Sequence, residues 1–240
     1  MKVKDYQRKL NNIITMAPQE CGVQTLVYMF LDEIIENQGL VLLEVDLFGQ
    51  DTVFARQRYG TEEKGVPDMC IVEKTFKYPG KIENNINKEK KKRKACVEVK
   101  ATSTDLAKEI EKRNQIIGHI LEYKKVIYTN GCVWIYFDIT KPEKNECEEN
   151  VIEYIKKLKG YIEAILNNNE KEKVVLPEWI RWIIPIVKLE DKKTKQCKFI
   201  TYTDINKREE IIIDTENYNC LIKELYKIDW GVQCEITYKE

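Results

Sequence analysis

The sequence predicts an α/β protein, a mixed central sheet flanked by helices, followed by an α+β C-terminal region. Three observations carry that expectation. Residues 19–37, QECGVQTLVYMFLDEIIEN, place Val23, Leu26, Val27, Phe30, Leu31 and Ile34 at helical spacing. Three short runs with strand-like residues follow, at 40–48, 66–73 and 95–101. A second helical pattern then leads into two apolar runs joined by Asn130-Gly131, a strong hairpin signal.

Each element has its local reason. Pro18 just before the first helix and Gly39 just after it mark its ends. LVLLEVDLF at 40–48 is apolar and β-branched enough for a strand. VPDMCIVE at 66–73 carries Pro67 near its start, where a strand tolerates a missing N–H. Residues 75–94 are polar and contain Pro79-Gly80, so a turn or extended loop is expected. ACVEVKA at 95–101 alternates cleanly. Thr102, Ser103, Thr104 and Asp105 offer N-caps. A helix is expected from there to about Tyr123, with Leu106, Ile110, Ile116, Ile117 and Ile120 on its apolar side. Lys125–Thr129 and Cys132–Ile139 form the hairpin strands.

The polar, proline-containing stretch 141–149 reads as a boundary, dividing the chain into 1–145 and 146–240. The second part is expected to hold a helix at 150–167, with Ile152, Ile155, Leu158, Ile162 and Ile165 at helical spacing. Apolar runs at 174–176 and 182–189, strands at 198–203 and 210–214, a helix at 217–227 and a strand at 231–238 complete it. It carries no chemical motif, which leaves recognition, oligomerisation or regulation as its expected work.

Composition excludes several classes. With 240 residues, 43% of them apolar, the chain is long enough for a real core. Runs such as Ile183–Val187 fall far short of the roughly 20 apolar residues that span a bilayer, so no membrane partner is expected. The N-terminal MKVKDYQRKL lacks the apolar stretch of an export signal, so a cytoplasmic location is expected. Eight cysteines without a CxxC spacing read as free thiols rather than a disulfide framework or metal cluster. The 40 basic and 40 acidic residues cancel, which argues against a large non-specific nucleic-acid footprint. Charge is uneven, however. KEKKKRK at 88–94 is basic except at Glu89 and directly precedes a strand, so Lys91, Lys92 and Arg93 are candidates for phosphate contact beside Arg56 and Arg58. The bland alternative for all of them is solvated surface.

Chemistry concentrates in Pro67-Asp68 and Glu98-Val99-Lys100. Side chains alternate along a strand, so Glu98 and Lys100 share a face and Val99 points to the other. Pairing of the two strands brings Asp68 beside Glu98. Two adjacent carboxylates repel unless a cation or a proton sits between them, and hard oxygen ligands suit Mg²⁺ or Mn²⁺. A neighbouring lysine can hold the attacking water or offset charge that builds on a phosphate. The competing reading is an ordinary strand with exposed acids and an edge lysine.

PD…ExK on consecutive strands within a helix-β-β-β-helix-β order resembles the PD-(D/E)xK nuclease superfamily, over about residues 15–140. The run from Tyr123 to Trp134, with its Thr-Asn-Gly turn, is similar to the N-terminal nuclease domain of type I restriction subunits. The resemblance implies a restriction-endonuclease-like core, αβββαβ, and Asp68, Glu98 and Lys100 as the catalytic set. It implies Glu20 as a further metal ligand on the first helix. Gln115 matches the glutamine of a Gln-x-x-x-Tyr pattern, whereas His119 stands where that pattern has tyrosine; His119 is kept as a candidate site or nucleic-acid contact against a structural buried histidine. The implied function is a Mg²⁺-dependent nuclease, with Mn²⁺ able to substitute, acting on DNA in restriction or phage defence, most simply as a homodimer. The alternatives are a ribonuclease, a ligand-activated nuclease, and an inactive fold that only binds nucleic acid or protein.

Overall fold

The computed structural model describes residues 1–16, 19–47, 53–57, 64–79, 83–112, 115–140, 153, 157–167, 176–190, 197–200 and 211–231. In chain order its helices are α1 (Val3–Met16), α2 (Glu20–Asn37), α3 (Glu83–Lys90), α4 (Leu106–Lys112), α5 (Gln115–Tyr123), α6 (Leu158–Asn167) and α7 (Thr215–Tyr226). Its strands are β1 (Leu40–Glu44), β2 (Arg56–Gln57), β3 (Lys64–Gly65), β4 (Met69–Glu73), β5 (Arg93–Val99), β6 (Lys125–Thr129), β7 (Val133–Asp138), β8 (Ile180–Pro185), β9 (Val187–Glu190), β10 (Cys197–Phe199) and β11 (Ile211–Ile213).

A six-stranded sheet in the order β1-β4-β5-β6-β7-β8 organises the molecule. Only β5 and β6 run parallel; the other neighbours are antiparallel. A parallel step needs a crossover, and α4 and α5 supply it. Alternation along the strands builds two cores. Met69, Ile71, Val97, Val99 and Ile127 pack with Tyr6, Leu10, Val23, Val27 and Phe30 of α1 and α2. Cys70, Cys96, Val126 and Tyr128 pack on the other face with Leu106 of α4 and Ile116, Ile117 and Ile120 of α5. The expected α/β class, with helices flanking a mixed sheet, is what the chain adopts.

Several elements differ from expectation. No element is expected ahead of residue 19, but α1 lies there and packs Tyr6 and Leu10 into the core. The expected loop at 75–94 contains α3, whose Ile86 rests against the α5-side core. Its Glu89 accepts the Lys77 N–H at 2.7 Å and an Nζ hydrogen bond from Lys92 at 2.8 Å. A helix this polar has no apolar stripe to betray it. The single expected helix to Tyr123 is described as α4 and α5, with residues 113–114 outside the described residues. The hairpin closes at the Thr129–Trp134 pair rather than on a two-residue turn. Asn130 Oδ1 accepts from the N–H groups of Cys132 and Val133, both at 3.0 Å. That side-chain turn replaces the expected backbone one.

β8, beyond residue 145, is the sixth strand of the same sheet and pairs with β7 through Trp134↔Ile184 and Tyr136↔Trp182. Tyr218, Leu221 and Leu225 of α7 belong to the core built by α1 and α2. The expected boundary stretch, 141–149, lies outside the described residues, as do 150–152 and 154–156 of the expected helix at 150–167 and most of the expected strand at 231–238. β9, β10 and β11 form a small antiparallel sheet in the order β10-β9-β11. The six described cysteines, Cys21, Cys70, Cys96, Cys132, Cys197 and Cys220, are free thiols. No described helix is long and apolar enough to cross a membrane.

Candidate active site

The register Met69↔Val97 between β4 and β5 carries Asp68, the residue before β4, beside Glu98. Lys100 follows directly after β5, where its N–H donates to the Thr129 carbonyl at 2.8 Å. The site therefore stands at the C-terminal end of β5. The N-terminal turns of α2 reach it from one face of the sheet and α5 from the other.

Five contacts assemble it. Asp68 Oδ2 accepts the Val99 backbone N–H at 2.5 Å, and Asp68 Oδ1 accepts Gln24 Nε2 at 2.8 Å. Lys100 Nζ donates to Glu98 Oε1 at 2.7 Å. His119 Nε2 lies 2.9 Å from Glu98 Oε2, yet that buried oxygen has no hydrogen-bond partner of good geometry. His119 and Lys100 thus flank the two oxygens of Glu98. Lys100 Nζ is also 3.5 Å from Glu20 Oε1. Burial is deep for charged groups: Glu98 is 1% exposed, Lys100 7% and His119 0%.

These surroundings push the two carboxyls apart. Burial raises Asp68, the negative charge of Glu98 raises it further, and Lys100 and the Val99 N–H only partly oppose them, so it moves from 3.8 up to about 8. Burial also acts to raise Glu98, but the charge and contact of His119, followed by those of Lys100, outweigh it and hold Glu98 down at about 2. Lys100 is pulled down by burial, yet Glu98 and Asp68 raise it overall. Glu98 is thus the more acidic of the two carboxyls and Asp68 the less acidic.

The remaining candidates fall in different places. Glu20 opens α2 with its side chain 42% exposed, facing Lys100. Gln115 is half-buried at the start of α5, one turn before His119. Full burial removes His119 from any surface, so its expected contact with nucleic acid gives way to a place against Glu98. Lys91 is exposed just after α3. Lys92 donates to the Thr75 carbonyl at 2.7 Å and to Glu89 at 2.8 Å. Arg93 is held by Glu122 Oε1 at 2.6 Å and the Val53 carbonyl at 3.0 Å, with its guanidinium 4.5 Å from the centre of the Tyr123 ring. These two basic side chains tie elements of the fold together instead of facing outward as a phosphate-binding strip. Arg58 and the side chain of Arg56 lie outside the described residues. Gln24 is a site residue that sequence reading missed; its one available signal was its position a helical turn after Glu20.

Among the described residues, no group of three or more His, Cys, Asp and Glu side chains is arranged to hold a metal ion. Glu20 meets the site through Lys100, 3.5 Å from its Nζ. The pair that does meet fits a hard cation. Mg²⁺ commonly takes one or two protein carboxylates, with water and phosphate oxygens completing its shell. The buried, unsatisfied Glu98 Oε2 is the kind of oxygen such an ion binds.

No protein-family model and no curated protein matches the chain. A solved structure described as a cryo-EM structure of a DrdV–DNA complex is similar at 16% identity and a TM-score of 0.40, covering 70% of this chain and 14% of that one. This chain thus spans a small part of that protein's length, and the likeness is too distant to carry an argument.

Proposed function

We propose that the protein is a metal-dependent nuclease of the PD-(D/E)xK kind that hydrolyses the phosphodiester backbone of DNA. The observation that carries this reading is the meeting of Asp68, Glu98 and Lys100 at one strand end, with Asp68 bonded to the backbone of the ExK segment itself. The element order α2-β1-β4-β5-α4/α5-β6, with a parallel β5–β6 step, supports a restriction-endonuclease-like core.

Asp68 and Glu98 would hold Mg²⁺, with Mn²⁺ as a substitute. When bound, such an ion polarises the phosphate and makes water more acidic. The chain's own groups prepare the rest. Lys100, kept charged by its two acidic neighbours, orients the attacking water and offsets negative charge growing on the phosphoryl oxygens. His119 and Lys100 together fix Glu98 from two sides. Glu20 steadies Lys100 from α2. Cutting both strands of a duplex calls for two such sites, which a homodimer supplies. A restriction or phage-defence role follows from the resemblance noted in the sequence.

One observation favours a second reading, a fold of this kind that binds nucleic acid or protein without cutting. Both Asp68 oxygens and Glu98 Oε1 already accept hydrogen bonds from protein groups, and no three-ligand cluster forms among the described residues. Incubation of the purified chain with supercoiled plasmid, linear duplex, single-stranded DNA and RNA, in Mg²⁺, Mn²⁺ or EDTA, separates the two. Metal-dependent cutting abolished in a Glu98→Ala, Lys100→Ala variant supports the nuclease, and the preferred substrate distinguishes DNA from RNA. Retention on nucleic acid with no cutting under any metal supports the binding module.

A further inference from the structure

We propose that Gln24 is a positioning residue of this site, holding Asp68 in the orientation that receives the cation; the inference rests on the nuclease reading above. Asp68 stands half-buried just before β4, with its carboxylate turned towards the end of β5. Its backbone is fixed by Val45, the residue after β1, whose N–H donates to the Asp68 carbonyl at 2.9 Å. That contact leaves the side chain free to turn about its own bonds. Two donors stop it: the Val99 N–H on Oδ2 and Gln24 Nε2 on Oδ1.

One donor on each oxygen fixes the plane of the carboxylate. Each oxygen keeps a second lone pair, so the cation need not displace either donor. The Val99 donor is main chain and comes with the strand pairing. Gln24 is a side chain and comes with α2. Glu20 and Gln24 lie one turn apart on α2 and so share a face of the helix. One reaches Lys100 beyond β5 and the other reaches Asp68 before β4. A single helix face thus touches both halves of the motif, and the docking of α2 on the sheet sets the geometry of the site. Gln24 is half-buried, so a change there does not open the core.

The test uses the full chain and Mn²⁺ as the probe, followed by calorimetry. Gln24→Met keeps the length and shape of the side chain and removes the N–H donor; Gln24→Leu is a second variant without it. Partners that orient a metal's ligands typically contribute about 10–100-fold in affinity or activity. Both variants are expected to weaken Mn²⁺ binding by about tenfold or more at an unchanged metal-free melting temperature. In cleavage assays the Mg²⁺ concentration for half-maximal rate should rise by a larger factor than the maximal rate falls. Mn²⁺ affinities within about twofold of the parent chain in both variants overturn the role of Gln24. Failure of the nuclease reading has a different signature: the parent chain itself binds no Mn²⁺, or Asp68→Asn binds it equally well, and the proposal then falls with that reading.

Discussion

Glu98 keeps a negative charge at 1% exposure because Lys100 and His119 stand where water would. Its partners are therefore testable one at a time. His119→Phe leaves the buried carboxylate with Lys100 alone, and nuclease activity at fixed Mg²⁺ is expected to drop about 10–100-fold, with partial recovery in His119→Gln, which restores an N–H donor. Rate measurements on the three chains check this. Asp68 makes a pH prediction of opposite sign to the usual carboxylate. Its folded value, about 8, lies above its ordinary 3.8, so between these limits the native state holds a proton that the unfolded chain releases. Stability without metal should then fall as pH rises through that window. Glu98 behaves the other way, contributing stability above its ordinary 4.5 that is lost only as pH drops towards about 2. Urea unfolding in EDTA at several pH values, with Asp68→Asn removing the decline at the upper end, measures it. Asp68, Glu98 and Lys100 were legible in the sequence because strand alternation alone puts Glu98 and Lys100 on one face. Gln24 was not legible, since its bond to Asp68 depends on how α2 docks across the sheet.

Elements were readable where one periodicity ruled them. α2, β5, β6 and β7 have an apolar stripe or a clean run bounded by turn residues, and they form close to where expected. α3 has a single packed apolar residue, Ile86, and no pattern to read. The β6–β7 turn contains the expected glycine in a different geometry. Gly131 takes φ +79, and a Cβ there would lie 3.2 Å from Val23 Cγ1. Gly131→Ala combines a left-handed backbone with that contact, and a loss of about 1–3 kcal/mol in unfolding free energy is expected. Chemical denaturation of the variant beside the parent chain reads it directly. The hydroxyl of Tyr6 also donates to the Gly131 carbonyl at 2.8 Å, so α1 and this turn support each other.

On the scale of the whole molecule, the strands that carry Asp68, Glu98 and Lys100 share one sheet with the C-terminal part. β8 covers the outer edge of β7, and α7 fills the core against Tyr6 and Phe30. A chain ended at residue 145 loses Ile184, Tyr218 and Leu221 from that core. It is expected to lose the cooperative unfolding transition of the full chain, as followed by circular dichroism in urea. Sequence reading placed a boundary there because residues 141–149 are polar, and local polarity does not report which strand pairs with β7 across them. Charge reading has the same weakness: Lys92 and Arg93, expected as candidate phosphate contacts, tie α3, β5 and α5 together through Glu89 and Glu122. On the proposed function, Asp68, Glu98 and Lys100 cut a phosphodiester backbone with a cation's help. The most direct test is the rate of duplex cleavage by the full chain in Mg²⁺, beside EDTA and beside Lys100→Ala. Cleavage that needs Mg²⁺ and disappears with Lys100 is the predicted result. Cleavage unaffected by EDTA, or retained in Lys100→Ala, contradicts it.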